Sequence, residues 1–322
     1  MLLAGDVGGT KTLLGTFERG NPRPVPIAVH SYPTASFTRF ADILEAFARD
    51  AKTPVTVEAV ALGVAGPVVD DCATLTNVGL QIAAADVGAR FGARRTRLLN
   101  DLEAMATSIE VLGVDELVSL QDGVAHHSGS RAVIAAGTGL GQAYLHRLNG
   151  GWRPVPTEAG HADFAARTDR ELELVRMLRE RYGRAEVEQV LSGPGLLNLH
   201  RFTHRGSACP VVIDLDAPDA PARVSQAALS GRCQWCADAL RMFVSAYGAE
   251  AGNLALRTMA TSGVFVGGGI ARKILPAMTT GSFMDSFRAK EPLTSLVTQI
   301  PVHVILNDEA GLLGAAVAAQ RL

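Results

Sequence analysis

Apolar and polar positions alternate along this chain with two different periods. Short apolar runs bounded by glycine or proline predict strands at 1–7, 12–18 and 26–32. A continuous apolar run predicts a buried strand at 57–66, and apolar residues at helical spacing predict a helix within 36–51. Strands and helices that follow one another in this way are typical of an α/β protein.

The same order of elements recurs later in the chain. Segment 96–109 is predicted as a strand that passes into a helix, and 131–148 as a strand, a glycine turn and a second strand. Further strands are predicted at 263–271, where three glycines follow GVFV, and at 301–308. Helical spacing predicts helices at 170–183, 233–260 and 310–322. Two glycine turns about 130 residues apart predict two related halves.

Composition indicates a compact protein and argues against two classes of partner. With 322 residues, 48% of them hydrophobic, and 33 glycines, the chain is long enough for one large domain or two of ordinary size. A formal charge of −2 provides no basic field for nucleic acid or anionic lipid. No secretory pattern precedes Asp6, and no apolar run reaches the ~20 residues of a membrane span. We therefore expect a cytoplasmic protein with neither nucleic acid nor membrane as partner.

The four cysteines are too few and too scattered for a disulfide scaffold. Cys72 and Cys209 stand alone, whereas Cys233 and Cys236 form a single CQWC within an expected helix. A zinc site of paired cysteines requires a second pair at matching spacing, and the sequence has none. We expect the CQWC cysteines to be packed, reduced thiols.

Two glycine turns have the composition of phosphate-binding loops. Gly8-Gly9-Thr10 and Gly137-Thr138-Gly139-Leu140-Gly141 both allow backbone N–H groups to approach an anion, because no Cβ stands in the way. Each turn is equally well explained as a tight β-hairpin. Neither matches a Walker loop or the GxGxxG fingerprint, since the chain has no Gly-Lys pair and Gln142 occupies the position of the last glycine.

An acid beside the first turn predicts a cation. The carboxylate of Asp6 would repel a phosphate unless a cation lay between them, and Mg²⁺ bridges such groups through its water ligands. Lys11 adds a positive charge close by. A third cluster, Gly267-Gly268-Gly269, suits the approach of a nucleoside to the backbone, although helix capping and close packing explain it as well.

Asn100 and Asp101 stand where a predicted strand passes into a helix. One interpretation is an N-cap, with Glu103 supporting the first turn. The other is that Asp101 is a catalytic base, which accepts the proton of an alcohol as that alcohol attacks a phosphate.

Three further polar residues follow the second glycine turn. Glu158 and His161 lie in TEAGH, and Glu188 precedes another glycine pair. Taken alone, Glu188 is more typical of a solvated carboxylate in the first turn of a helix. Hydrogen-bonding groups spread over loops nevertheless suit a polyhydroxylated ligand, whose buried hydroxyls all need partners.

Together these segments resemble the bacterial glucokinases of hexokinase type. The motifs are GDVGGT from Gly5, GTGLG from Gly137, LLNDLEA around Asp101, TEAGHADFA from Thr157 and VEQVLSGPGLLNLHR around Glu188, in the family's order. Lysine stands at position 11, where asparagine is more usual and where lysine is typical of the neighbouring repressor-kinase sugar kinases. The cysteine-rich zinc motif of those kinases is missing here.

The resemblance implies the actin-like ATPase (ribonuclease H-like) fold, with two α/β domains on either side of a cleft, each a mixed sheet flanked by helices. The small domain would comprise 1–108 with 311–322, and the large one 109–310. The resemblance also implies Asp101 as base and a homodimer. Asn77, Asn100, Asp101, Glu158, His161 and Glu188 would bind the sugar. Asp6, Lys11 and the glycines of the three clusters would bind ATP, with Asp6 holding Mg²⁺ through water.

The reaction implied is the phosphorylation of D-glucose by ATP at the 6-hydroxyl, which feeds glycolysis. Two alternatives stay open. One is a kinase for mannose, fructose or an amino sugar, and the other is a sugar-sensing regulator without catalysis. Regulators of the second kind usually carry a helix-turn-helix domain, for which no sequence is present before Asp6.

Overall fold

A computed structural model describes residues 1–51, 57–75 and 78–322 of the chain. The strands in this part of the chain are β1 (Leu2–Val7), β2 (Lys11–Glu18), β3 (Val25–Pro33), β4 (Ala59–Val64), β5 (Val68–Val69), β6 (Cys72–Leu75), β7 (Leu80–Ala83), β8 (Arg95–Asn100), β9 (Leu117–Gln121), β10 (Arg131–Ala136), β11 (Leu140–Leu148), β12 (Gly151–Thr157), β13 (Val264–Gly267) and β14 (Val302–Ile305). The α-helices are α1 (Phe40–Asp50), α2 (Ala84–Phe91), α3 (Asp101–Ser108), α4 (Asp169–Tyr182), α5 (Gly193–Thr203), α6 (Ala220–Leu229), α7 (Gln234–Thr258), α8 (Gly268–Lys273), α9 (Leu275–Met278), α10 (Ser282–Arg288), α11 (Thr294–Val297) and α12 (Ala310–Arg321). None of the helices in these ranges is long and apolar enough to cross a membrane.

The chain folds into two compact units. The first comprises 1–116, 145–156 and 307–322, and the second 117–144 and 157–306. The resemblance implied domain boundaries at 108 and 311, and that division into domains stays a prediction. The predicted α/β composition is confirmed in both units.

The first unit is built on a mixed sheet in the order β3-β2-β1-β4-β8. Strands β1, β2 and β3 form an antiparallel meander, whereas β4 and β8 run parallel to β1. Side chains along β1 alternate between two cores, as the two-residue period of a strand requires. Leu2 and Ala4 pack with α12 on one face, and Leu3 and Val7 pack with α1 and α2 on the other.

The second unit is built on strands in the sheet order β11-β10-β13-β14-β9, with the first five residues of β11, and its strands β10, β13 and β14 are parallel. Its core joins the sheet to α5, α6 and the 25-residue helix α7. Tyr247 of α7 is fully buried. Its hydroxyl accepts from the backbone N–H of Ala136 at 3.1 Å and lies 3.3 Å from the carbonyl oxygens of Ile134 and Gly267. The long helix is thereby joined to β10 and β13.

Most elements lie where the sequence predicts them, and the differences are local. The helix predicted within 36–51 begins at Phe40, because a 3₁₀ turn over Thr34–Ser36 precedes it. The segment 263–271 changes from strand to helix at Gly268, whose φ of 84° suits a residue without a Cβ. Element type followed from periodicity, whereas these boundaries depend on turns.

Helices α3 and α12 pack closely at Gly314, and this contact yields a test. A Cβ added at Gly314 would overlap the carbonyl oxygen of Ala104. We expect Gly314→Ala to destabilise the protein by roughly 1–3 kcal/mol, the usual cost of overpacking. Urea denaturation measures this. The matched control is Gly151→Ala, where the nearest atom to a new Cβ is 3.9 Å away. Equal stability of the two variants would contradict the proposed contact.

Candidate active site

In the first unit, parallel pairing brings the ends of three strands to one edge of the sheet. Val7 pairs with Val64, and Val64 pairs with Asn100. The glycine turn after β1 and the start of α3 therefore follow strand ends at the same edge of the sheet. Strands lie about 4.8 Å apart, so with β4 between them the two segments are separated by roughly 10 Å. That distance leaves room for a phosphate group and the atom that attacks it.

The first glycine turn is held by buried threonines. Gly8 N–H donates to the carbonyl of Lys11 at 3.0 Å, which closes the hairpin. The hydroxyl of Thr34 donates to the carbonyl of Gly8 at 2.7 Å and lies 2.9 Å from the hydroxyl of Thr12. The hairpin interpretation of this turn is thus confirmed. It is compatible with ligand binding, because Thr10 at its tip is exposed.

Asp6 lies directly before this turn, against the beginning of α12. A Cβ on Gly311 would come within 2.7 Å of the Asp6 carboxylate, so only glycine allows the helix to start there. Burial raises the pKa of Asp6, and the nearby Lys11 ammonium opposes that shift. A half-buried carboxylate next to backbone amides is a donor set that fits Mg²⁺ held through water.

Asn100 is the N-cap of α3, as one interpretation of the sequence predicted. Its Oδ1 accepts from Leu102 N–H at 3.0 Å, and its Nδ2 donates to the carbonyl of Gly66 at 3.1 Å. The carboxylate of Asp101 also accepts from Leu102 N–H, at 2.8 Å. Asp101 is half-buried at the first position of the helix, where the helix dipole favours its charged form.

In the second unit, the other two glycine clusters lie side by side. Strands β10 and β13 are parallel, with Ala135 paired to Gly267, so the glycines that follow each strand meet at one edge. A Cβ on Gly268 would overlap the backbone of Ala136. At Gly137 and Gly269, by contrast, the position of a Cβ is open within the described residues. Packing thus explains the glycine at 268 but leaves 137 and 269 open to a ligand.

Glu188 binds the second glycine turn directly. Its Oε2 accepts from Leu140 N–H at 2.8 Å, and a Cβ on Gly139 would lie within 2.6 Å of the same oxygen. The alternative that places Glu188 in the first turn of a helix is wrong, because α5 begins only at Gly193. The contact positions this carboxylate beside the predicted phosphate loop.

The TEAGH segment approaches the same turn. Gly160 packs so closely on Leu140 that a Cβ would overlap its carbonyl, and the Gly160 carbonyl accepts from Glu188 N–H at 2.9 Å. Glu158 is exposed. The ring of His161 is exposed, and its Nδ1 lies 2.9 Å from the Glu186 carboxylate. That contact raises the pKa of His161, and the negative charges of Glu188 and Glu158 add to the shift.

Within the second unit, then, Glu158, His161, Glu188 and the glycines surround one turn, whereas Asp6, Asn100 and Asp101 share one edge in the first. The predicted sugar ligand Asn77 lies outside the described residues.

Comparison with known proteins gives the family. The glucokinase family model matches residues 3–322. A glucokinase of Synechocystis is 36% identical over 344 residues, covering 98% of this chain and 97% of the relative. The chain belongs to the glucokinase family.

Solved structures agree with this assignment to the glucokinase family. The crystal structure of a glucokinase from an Antarctic psychrotroph matches with a TM-score of 0.85 at 27% identity, covering 100% of this chain and 99% of the other. A ROK family glucokinase from Streptomyces griseus, in complex with glucose and AMPPNP, matches with a TM-score of 0.67 at 21% identity and covers 100% and 99%. The predicted actin-like ATPase fold is thereby confirmed.

Two residues of this glucokinase family member were missed from the sequence. Glu186 holds the His161 ring, and Arg184 donates to the His161 carbonyl. The signal for Glu186 was a second acidic residue two positions before the predicted ligand Glu188. For Arg184 the sequence offered no signal, because its contact depends on the fold.

The contact between Glu186 and His161 predicts a pH effect. Because Glu186 raises the folded-state pKa, the charged pair stabilises the protein below about pH 6.5 and this contribution is lost as pH rises through the raised value. We expect Glu186→Gln to shift the His161 titration to lower pH. Proton-carbon NMR of the imidazole measures this midpoint. An unchanged midpoint would contradict the assigned contact.

Proposed function

We propose that this protein transfers the γ-phosphoryl group of ATP to the 6-hydroxyl of D-glucose, forming glucose 6-phosphate and ADP. The carrying observation is the edge of the first sheet, where Asp101 and the turn of Gly8 follow strand ends about 10 Å apart. A base and a phosphate-binding turn at that separation suit in-line attack by an alcohol on a phosphate. Membership of the glucokinase family supports glucose as the alcohol.

Asp101 would act as the general base. Its carboxylate accepts the proton of the 6-hydroxyl while that oxygen attacks the γ-phosphorus and the bond to the leaving ADP oxygen breaks. The first helical position of α3 holds the carboxylate in place through its contact with Leu102 N–H. Asn100 is rigidly oriented by its cap bonds and retains hydrogen-bonding capacity for a sugar hydroxyl.

The nucleotide would be bound by the three glycine clusters, where the absence of a Cβ allows close approach to the backbone. These are Gly8, Gly9 and Thr10, then Gly137, Thr138, Gly139 and Gly141, and finally Gly267, Gly268 and Gly269. Mg²⁺, held near Asp6 through water, would supply charge neutralisation at the phosphates, and Lys11 would add a further positive charge. The AMPPNP in the S. griseus relative supports ATP as the donor.

The sugar would be oriented by Asn77, Asn100, Glu158, His161 and Glu188. Among the described residues the Glu188 carboxylate accepts a hydrogen bond from Leu140, so a carboxylate with about four acceptor sites has capacity left for hydroxyls. A glucose-phosphorylating enzyme that uses ATP fits a cytoplasmic role at the entry to glycolysis. The homodimer implied by the resemblance is part of this proposal and is tested by light scattering.

Replacement of Asp101 tests the base. We expect Asp101→Asn to lower kcat by about 10²–10⁴-fold, because the amide cannot accept the proton, while glucose affinity changes little. Steady-state kinetics and calorimetric titration with glucose measure both quantities. The matched control is Asp86→Asn, which removes an exposed carboxylate from the first turn of α2. Wild-type turnover by Asp101→Asn would exclude Asp101 as base.

A panel of sugars tests the substrate. We expect kcat/KM with Mg-ATP to be highest for glucose among glucose, mannose, fructose, glucosamine and N-acetylglucosamine, because mismatched hydroxyls leave buried partners unpaired. A higher value for another sugar would keep the phosphoryl-transfer mechanism and replace glucose as substrate. Glucose binding without turnover of any sugar would favour the sugar-sensing regulator.

A further inference from the structure

A cluster of sulfur and nitrogen donors lies in the second unit, away from the residues proposed for phosphoryl transfer. It joins the end of α5, the following loop and the start of α7. The side chains are those of His200, His204, Cys209, Cys233 and Cys236. Helix α5 has 11 residues, so this end lies about 16 Å from the end next to Glu188.

The donor atoms are close enough to share one ion. His200, His204, Cys209 and Cys236 each place a donor atom within 4.8 Å of the other three. The sulfur of Cys209 is 3.6 Å from that of Cys233 and 3.9 Å from that of Cys236. Tetrahedral zinc with Zn–S bonds of about 2.3 Å places its sulfurs about 3.8 Å apart. The observed separations bracket this value.

His204 is oriented as a metal ligand. Its Nδ1 lies 2.8 Å from the carbonyl of His200, so the N–H of that nitrogen donates to the backbone of its own helix. The lone pair then resides on Nε2, which is 3.3 Å from the sulfur of Cys233. A ring that donates one N–H to a carbonyl and presents the other nitrogen is the usual arrangement of zinc-bound histidine.

The sulfur of Cys233 is also fixed in position at the start of α7. The sulfur of Cys233, the N-cap of α7, accepts from the backbone N–H of Cys236 at 3.4 Å. Cys233 and Cys236 therefore both lie at the first turn of a 25-residue helix. The Cys209–Cys233 separation of 3.6 Å is far above the ~2.05 Å of a disulfide bond.

His200 provides a further observation at the same place. Its ring stacks on that of His204 with centroids 3.8 Å apart, and the residue is only 6% exposed. Neither of its ring nitrogens has a hydrogen-bond partner among the described residues. Such a buried, unpartnered imidazole is costly unless something at the site satisfies it.

We propose that His200, His204, Cys209 and Cys236 bind one structural Zn²⁺, with Cys233 as a further sulfur donor beside them. Four protein ligands leave no open position, so the ion would stabilise the fold and take no part in catalysis. Binding releases the thiol protons and ties the loop after α5 to α7. This site is independent of the proposed function. The sequence analysis expected packed, reduced thiols and no zinc site at Cys233 and Cys236. Both residues are buried, and the proposal differs from that expectation because His200, His204 and Cys209 reach this place from other segments.

Metal content of the whole chain, purified under reducing conditions without chelator, tests the proposal. We expect elemental mass spectrometry to find about one zinc ion per chain. The variants Cys209→Ser and Cys236→Ser should retain at least tenfold less zinc per chain than the wild-type protein. The matched control is Cys72→Ser, which removes an exposed cysteine of the first unit and should keep the full content. Measuring zinc content requires neither ATP nor glucose, so this test remains valid even if the kinase proposal fails.

A second measurement covers variants that fail to fold. The wild-type protein stripped of metal is titrated with Co²⁺, and thiolate-to-cobalt charge-transfer absorption that saturates at one equivalent supports the site. Zinc should also raise the melting temperature of the stripped protein. Three results would overturn the proposal: no bound zinc before or after incubation with Zn²⁺, equal zinc content in Cys236→Ser, or a Cys209–Cys233 disulfide found by peptide mapping.

Discussion

Parallel register is the constraint on which both groups of candidate residues depend. In the first sheet, β4 lies between β1 and β8 with Val64 opposite both Val7 and Asn100. A register shifted by one residue would turn every side chain to the other face. The buried alternation of β1 prevents such a shift, because its two faces pack against different helices. Asp6 and Asp101 therefore keep their separation through the hydrophobic packing of residues that touch no substrate.

Close backbone contact is the second constraint, and it explains several glycines that look like ligand loops. Gly311 allows α12 to begin against Asp6, and Gly160 allows the TEAGH segment to lie on Leu140. Gly139 accommodates the carboxylate of Glu188. At Gly137 the absence of a Cβ relieves no contact within the described residues. Glycine thus has two distinct roles around the same turns, and only the structure separates them.

Much of the candidate site was predictable, because its motifs are local. The sequence predicted a helix N-cap at the strand-to-helix junction of Asn100 and Asp101, and the structure shows the cap hydrogen bond of Asn100. The contact of Glu188 with Leu140 was not readable, since it joins residues 48 positions apart. The helical alternative for Glu188 failed for that reason: composition near a helix suggests its first turn, and tertiary contact placed the residue outside it.

The sequence by itself determined the order and type of the elements and the positions of the glycine turns. It also determined the acidic residues Asp6 and Asp101 next to predicted functional segments, and the family resemblance. These features depend on local periodicity and on short motifs, which need no distant partner. The tertiary structure alone decided which strand ends meet, which glycines serve packing, and how His204 and Cys209 reach the CQWC pair. Such contacts arise when buried faces pack together, and spacing along the chain does not encode which distant segments become neighbours.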